Sequence, residues 1–235
     1  PKATAGGGRA DGHVVLGRLE GLPIVGFRGP HRFGPSDDAR ARAALVRLMR
    51  LLGPVGGAPP VLLLSDSCWA LNPLWDVGDV AVIDDHINLM GENPLAGVNL
   101  DALGPRFPDM SQAYDPFLQD LASQEGLGAR IPTRRGVYVG VAGPGPGTRA
   151  EGRMLRRMGA DVVGTSLVGD VIVARHMGMP VLALTLVTRH CLRDDAGRAS
   201  GGGGTASPDG PSRLDRIVRG VIARLARGAA PTLEP

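Results

Sequence analysis

Four short apolar runs set most of what this chain can become: PPVLLLS at residues 59–65, GDVAVIDD at 78–85, GVYVGVAG at 136–143 and PVLALTLVT at 180–188. Each is bounded by Gly, Pro or polar residues and is too short for a buried helix. Such continuous runs read as strands buried on both faces, not as the alternating strands of a half-exposed sheet. Between them lie segments with helical periodicity. Residues 37–53 (DDARARAALVRLMRLLG) start with Asp and stop with Gly, which predicts a helix. Residues 109–123 predict another, in which Pro116 is tolerated only near a helix start or a break. Residues 148–158 and 169–177 predict two more, separated by a short strand in ADVVGTS. Ahead of all these, residues 13–29 hold two apolar runs around Glu20-Gly21, a hairpin signal. Strands alternating with helices predict an α/β architecture around a largely parallel sheet.

With 235 residues, 43% of them hydrophobic, the chain can build one good-sized core, so a single domain over 1–235 is expected. Residues 194–212 (DDAGRASGGGGTASPDGPS) read as a flexible low-complexity insert ending at Ser212, the expected N-cap of a terminal helix at 213–228. In that helix Leu214, Ile217, Val218, Val221, Ile222 and Leu225 share one face and arginines the other. This is the pattern of a helix packed on a sheet, with membrane-surface binding as the alternative. No apolar run reaches the ~18 residues of a membrane span, so no membrane partner is expected, and the start of the chain carries no signal-peptide pattern. The net charge of +3 rests on arginine, since Lys2 is the one lysine, and aromatics make up 3%. That is too little stacking surface for a nucleic-acid partner. Cys68 and Cys191 make no disulfide framework, and a reduced, cytoplasmic setting is expected.

Residues 141–164 (VAGPGPGTRAEGRMLRRMGADVVG) read as a strand end, a Gly/Pro loop and an amphipathic helix, an arrangement that elsewhere cradles phosphate. Other phrases point elsewhere: ALNPLWDVGDVAVIDDHINL (70–89), GENPLAG (91–97), RFPDMSQAYD (106–115), YVGVAGP (138–144) and GADVVGTSLVGDVIVARHMGMPVLALTLVT (159–188). In this order and spacing they resemble the trimeric purine nucleoside phosphorylase family, including its methylthioadenosine-cleaving members, from about Asp11 to Thr188. The resemblance implies an α/β fold with a mixed central sheet flanked by helices. It also implies a homotrimer with sites near subunit boundaries. The implied reaction is phosphorolysis, a pentosyl transfer in which phosphate attacks the anomeric carbon of a purine nucleoside as the base leaves. Such a site needs donors for phosphate, contacts for the sugar and polar groups for the leaving base. No cofactor is implied; phosphate is the co-substrate wherever phosphorolysis is retained.

The resemblance makes 141–164 the base-binding loop. Where the family reads GPSFETxAE this chain has GPGPGTRAE, so the family's aromatic residue falls on Pro146 and its purine-binding glutamate on Gly147. Glu151 matches the motif's helix glutamate, a more structural position. The family's Thr-Asn pair is Thr188-Arg189; an arginine has donors and no acceptor and suits an anion or a carbonyl. The family's NAAGG is Asp66-Ser67-Cys68-Trp69-Ala70, where Trp69 adds a ring and Asp66 a negative charge, both opposing phosphate. The family's Arg-x-His falls on Pro30 and Arg32, leaving Arg28, His31 and Arg32 to meet an anion in another arrangement. Ser166 matches a phosphate-contacting serine, Thr165 stands for a methionine under the ribose, and Tyr138 matches a tyrosine at the sugar. The family's first strand, with its phosphate-binding serine, is expected to be lacking, which would expose unpaired sheet edges. Asp85-His86-Ile87-Asn88 is intact and reads as fold-defining, with His86 and His176 as interior histidines. Cys68 beside His31 lacks an orienting third group for nucleophilic catalysis. His190 with Cys191 lacks further ligands, so no metal is expected.

The candidate catalytic residues are therefore Asp66, Arg189 and His31. Ser67, Trp69, Tyr138, Gly147, Thr165, Ser166, Thr188 and Arg32 are candidates for binding a small nucleoside-like molecule. Three functions fit: a nucleoside phosphorylase or hydrolase with altered substrate choice, a scaffold repurposed for another biosynthetic reaction, or a catalytically silent ligand-binding homologue. The second requires Asp66, Trp69 and Arg189 to face one pocket.

Overall fold

The structure, a computed structural model, describes residues 13–28, 39–53, 57–143, 147–192 and 209–228. A hairpin comes first, β1 (His13–Leu19) paired antiparallel with β2 (Leu22–Arg28). Glu20 and Gly21 both take positive φ, 52° and 88°, the two-residue turn whose twist matches the strands it joins. There follow α1 (Ala39–Leu51), β3 (Leu62–Ala70), β4 (Val80–Leu89), α2 (Pro116–Gly128), β5 (Thr133–Val141), α3 (Arg149–Arg157), β6 (Val162–Gly164), α4 (Val168–His176), β7 (Val181–His190) and α5 (Gly210–Ala226). All four apolar runs are strands. They are longer than their apolar cores because the polar ends of β3 and β4 stay in the ladder against β7 and β5. No helix among the described residues is long and apolar enough to cross a membrane.

β3 to β7 form a mixed sheet closed in the order β3-β6-β5-β4-β7. The β3–β7, β4–β5 and β5–β6 seams are parallel; β3–β6 and β4–β7 are antiparallel. Closure is narrow at β3–β6, where only Trp69↔Val163 and Ala70↔Val162 pair. From Leu62 to Cys68, β3 has a strand partner on one side alone among the described residues, namely β7.

Each strand feeds two cores because successive side chains alternate faces. Leu62, Leu64, Cys68 and Ala70 of β3, with Ala81, Ile83, Tyr138, Val181, Ala183 and Val187, pack toward α1 and α4. The opposite face meets α2 and α5 through Val80, Val82, Leu182, Leu184 and Leu186. At the β6 end it packs Val139 and Val163 with Leu155 of α3.

Two helix boundaries differ from the sequence expectation. The helix expected over 109–123 is α2, and it begins only at Pro116. Proline cannot supply an interior N–H but fits the first turn, and the Asp115 carboxylate accepts from Leu118 N at 2.9 Å as N-cap. The terminal helix starts at Gly210, not after Ser212, with Pro211 in its first turn and Asp209 at the N-cap position. The expected start of α1 at Asp37, and residues 194–208 of the Gly-rich insert, lie outside the described residues.

Asp161 ties the narrow seam to its surroundings. Its carbonyl accepts from Leu71 N (2.8 Å) and Asn72 N (3.0 Å) at the end of β3, and its own N–H donates to Val137 O (2.9 Å). Its carboxylate takes Asn72 Nδ2 at 2.8 Å, Arg156 Nη1 at 2.7 Å and Val137 N at 3.0 Å. Asp161→Ala strands these donors and is expected to cost about 3 kcal/mol, since bonds to a charged partner are worth about 1.5–3 kcal/mol each and are not additive. Urea unfolding of the two proteins measures the difference.

Candidate functional site

The β3–β6 pairing has a consequence beyond the end of β6. Continuing the same antiparallel register places Thr165 opposite Ser67 and Ser166 opposite Asp66. The strand has stopped there, yet the pairing persists in the side chains: the Ser166 hydroxyl donates to Asp66 Oδ2. The backbone N–H of Ser166 donates to the phenol oxygen of Tyr138 at 3.3 Å. Tyr138 comes from β5 and is fully buried. It reaches Ser166 because residue 164 is glycine: a Cβ there would lie 2.2 Å from the phenol oxygen. Gly164 was not among the sequence candidates. Its signal is a glycine closing a short apolar strand just before the Thr165-Ser166 pair.

Asp66 is half-buried, while Ser67 and Thr165 are exposed. Among the described residues no arginine or histidine pairs with Asp66. Burial pushes the Tyr138 phenol well above its ordinary value, and the charge of Asp66 pushes the same way. Burial likewise raises the Cys68 thiol to about 12, with Asp66 adding to it and the Thr185 hydroxyl bond working against it. Cys68 is thus a protonated thiol at neutral pH, the wrong state for a nucleophile. The electrostatics are those of an anionic site. A second anion brought to about 4 Å would be repelled by about 4 kcal/mol per pair of unit charges at an effective dielectric of about 20.

Trp69 and Arg189 form a separate group. The β3–β7 register slips between Cys68 and Trp69, so that Trp69 pairs with Arg189 and Thr188 is bulged out. Trp69 packs on the α3 side of the sheet, whereas Cys68 and Ala70 pack on the α1/α4 side. The Arg189 guanidinium carbon lies 5.3 Å from the centre of the Trp69 ring, a cation–π contact. The Thr188 hydroxyl donates to the Cys68 carbonyl at 3.0 Å and secures the bulge. Asp66 therefore does not share a face with Trp69 and Arg189, and the convergence that a repurposed pocket requires is not what the strand alternation produces.

At the base-side loop, a Cβ on Gly147 would lie 1.9 Å from Glu151 Oε2. Glu151 occupies that space because it caps α3. Its carboxylate accepts from Thr148 N–H, its own N–H donates to Thr148 Oγ1 at 3.3 Å, and the bond from Thr148 N–H holds its carboxyl below the usual range. His31, Arg32 and Pro146 lie outside the described residues. The polar motif on β4 serves the fold: His86 Nδ1 meets the Tyr114 hydroxyl at 3.1 Å, and Asn88 Oδ1 accepts from Met90 N at 3.0 Å. His176 Nε2 bonds Asn99 Oδ1 at 3.1 Å. His190 Nε2 donates to the Trp75 carbonyl. Among the described residues no cluster of three or more His, Cys, Asp or Glu could hold a metal ion.

With this geometry in view, comparison with known proteins is decisive for the family. The family profile described as "Phosphorylase superfamily" matches residues 2–221. The chain belongs to the phosphorylase superfamily. It is 41% identical over 177 residues to purine nucleoside phosphorylase 1 of Bacillus subtilis, covering 75% of this chain and 64% of that protein. It is 39% identical over 188 residues to purine nucleoside phosphorylase of Bos taurus, covering 78% and 63%. The chain thus spans just under two thirds of the length of these curated relatives. Among solved structures it resembles a Schistosoma purine nucleoside phosphorylase in complex with hypoxanthine, with TM-score 0.80 and 34% identity over 91% of this chain and 78% of that one. The Schistosoma mansoni enzyme in complex with inosine gives TM-score 0.80 and 33% identity over 91% and 76%. A purine nucleoside phosphorylase in complex with ribose-1-phosphate gives 0.79 and 33% over 91% and 75%. These superfamily neighbours share the mixed central sheet flanked by helices.

Burial raises both thiols, Cys68 and Cys191, from the ordinary 9.0 to about 12. The folded chain therefore keeps protons that the unfolded chain releases. Their contribution to stability is complete below pH 9.0 and falls as pH rises from there toward 12. The urea midpoint of the native chain is expected to drop more steeply above pH 9.0 than that of Cys68→Ala, and both thiols are expected to alkylate slowly until the chain unfolds.

Proposed function

We propose that this protein cleaves the N-glycosidic bond of a nucleoside or nucleoside-like molecule at the β3–β6 seam. The observation that carries the reading is the Ser166–Asp66 pair set against the buried Tyr138. Cleavage of this bond puts positive charge on the sugar ring and negative charge on the departing base. A fixed carboxylate beside the ring stabilises the first, and it does so more strongly in the transition state than in the ground state. Membership of the phosphorylase superfamily supports the reading. So do relatives solved with hypoxanthine, inosine and ribose-1-phosphate, which are a nucleoside and the two halves of its cleavage.

On this reading the base side departs from the family pattern at Gly147 and Arg189. Gly147 has no side chain to offer the purine, and Glu151 fills the space beside it. Arg189 is stacked on Trp69 and brings donors only. With no side chain at Gly147 and Arg189 held with Trp69 on the other face of β3 from Asp66, neither position selects the base, and a broad choice of base is expected. The assembly that fits is the homotrimer implied by the resemblance, in a cytoplasmic setting. The hairpin supports contact with another copy, because Val14, Val15 and Leu16 are 46%, 55% and 69% exposed.

Purified protein incubated with a panel of purine and pyrimidine nucleosides and methylthioadenosine is expected to release free base, followed by chromatography. Ser166→Ala removes a hydrogen bond to a charged group and is expected to lower kcat/KM by about tenfold to a hundredfold. Absence of base release from every nucleoside in the panel would refute the reading.

A further inference from the structure

We infer that the nucleophile at this site is water activated by Asp66, not inorganic phosphate. The inference rests on the nucleoside-cleaving reading above and adds the co-reactant. A phosphate ion needs hydrogen-bond donors and freedom from nearby negative charge. Ser166 has two donors and both are committed within the protein, its hydroxyl to Asp66 Oδ2 and its N–H to the Tyr138 oxygen at 3.3 Å. What the described residues offer an incoming ion is therefore a carboxylate that no described cation neutralises. Tyr138, fully buried behind it, is held as a neutral phenol. The same features suit water. Ser166 fixes one oxygen of Asp66, and Oδ1 has no partner among the described residues, which leaves it to accept a proton.

The step balances. The water oxygen bonds to the anomeric carbon as the bond from that carbon to the base nitrogen breaks. The electron pair of that bond goes to the base, and the proton from water goes to Asp66. The protonated Asp66 then returns its proton through solvent to the base, giving free base, free pentose and the carboxylate again. No oxidant, reductant or metal is required. Asp66 is thus a general base, and water takes the nucleophile's place that phosphate holds in phosphorolysis.

The test uses the full chain with inosine, guanosine, adenosine and uridine as probes, each with and without added inorganic phosphate. Free base is followed by chromatography, and the sugar product is identified by mass spectrometry. The expected result is base release that added phosphate does not accelerate, with free pentose as the product. Asp66→Asn is expected to lose about 100-fold or more of that rate while unfolding at the same temperature as the native chain. Release that needs phosphate and yields a pentose 1-phosphate overturns the inference and leaves the nucleoside-cleaving reading standing. No release under either condition overturns both. An Asp66→Asn protein that keeps the phosphate-independent rate removes Asp66 as the base. The phosphate comparison on the native chain needs no variant, so it decides even if Asp66→Asn fails to fold.

Discussion

Two residue pairs hold this sheet shut. Trp69 with Val163 and Ala70 with Val162 are the whole of the β3–β6 seam, and the rest of the architecture depends on its antiparallel direction. β3 and β7 run one way and β4, β5 and β6 the other, so the two parallel groups meet at this seam and at β4–β7. An antiparallel register carries on past the last ladder bond as a line of facing side chains. That line brings Ser166 to Asp66, although 100 residues of chain separate them. Asp161 secures the seam from one side, by joining the end of β3, β5 and α3 to the start of β6.

The chemistry follows from what the seam can and cannot hold. A buried phenol, a hydroxyl and a carboxylate form a chain of donors and acceptors in which every donor of Ser166 is used. The two donors of Ser166 tie the phenol and the carboxylate to one residue. The group is also anionic, since neither Tyr138 nor Cys68 is ionised at neutral pH and Asp66 has no described counter-charge. A site with a fixed negative charge favours a cationic transition state and disfavours an anionic co-substrate. In the proposed reaction that charge is supplied by β3 itself, through Asp66.

Much of the fold was legible in the sequence and the rest was hidden for definable reasons. The four buried strands and the hairpin turn at Glu20-Gly21 announce themselves by composition and local chemistry. Pro116 marked a helix boundary but not which side of it was helical; the Asp115 cap settles that. In the site, Asp66, Ser166 and Tyr138 were each picked out singly, and the structure joins them. Trp69 and Arg189 were also picked out, and the structure sets them on the other face of β3. A one-residue slip between Cys68 and Trp69 accompanies that separation, and a slip is invisible in a string of residues because it is decided by the partner strand. Gly164 escaped notice because its role is to be small under a ring that arrives from another strand.

The most direct test of the central claim, that the β3–β6 seam is where a nucleoside is held and cleaved, is a crystal structure of the protein soaked with hypoxanthine and ribose. The sugar is expected within hydrogen-bond distance of the Asp66 carboxylate, close to Ser166 and Tyr138. Ligand seated instead against Arg189 and Trp69, on the opposite face of β3, would contradict it.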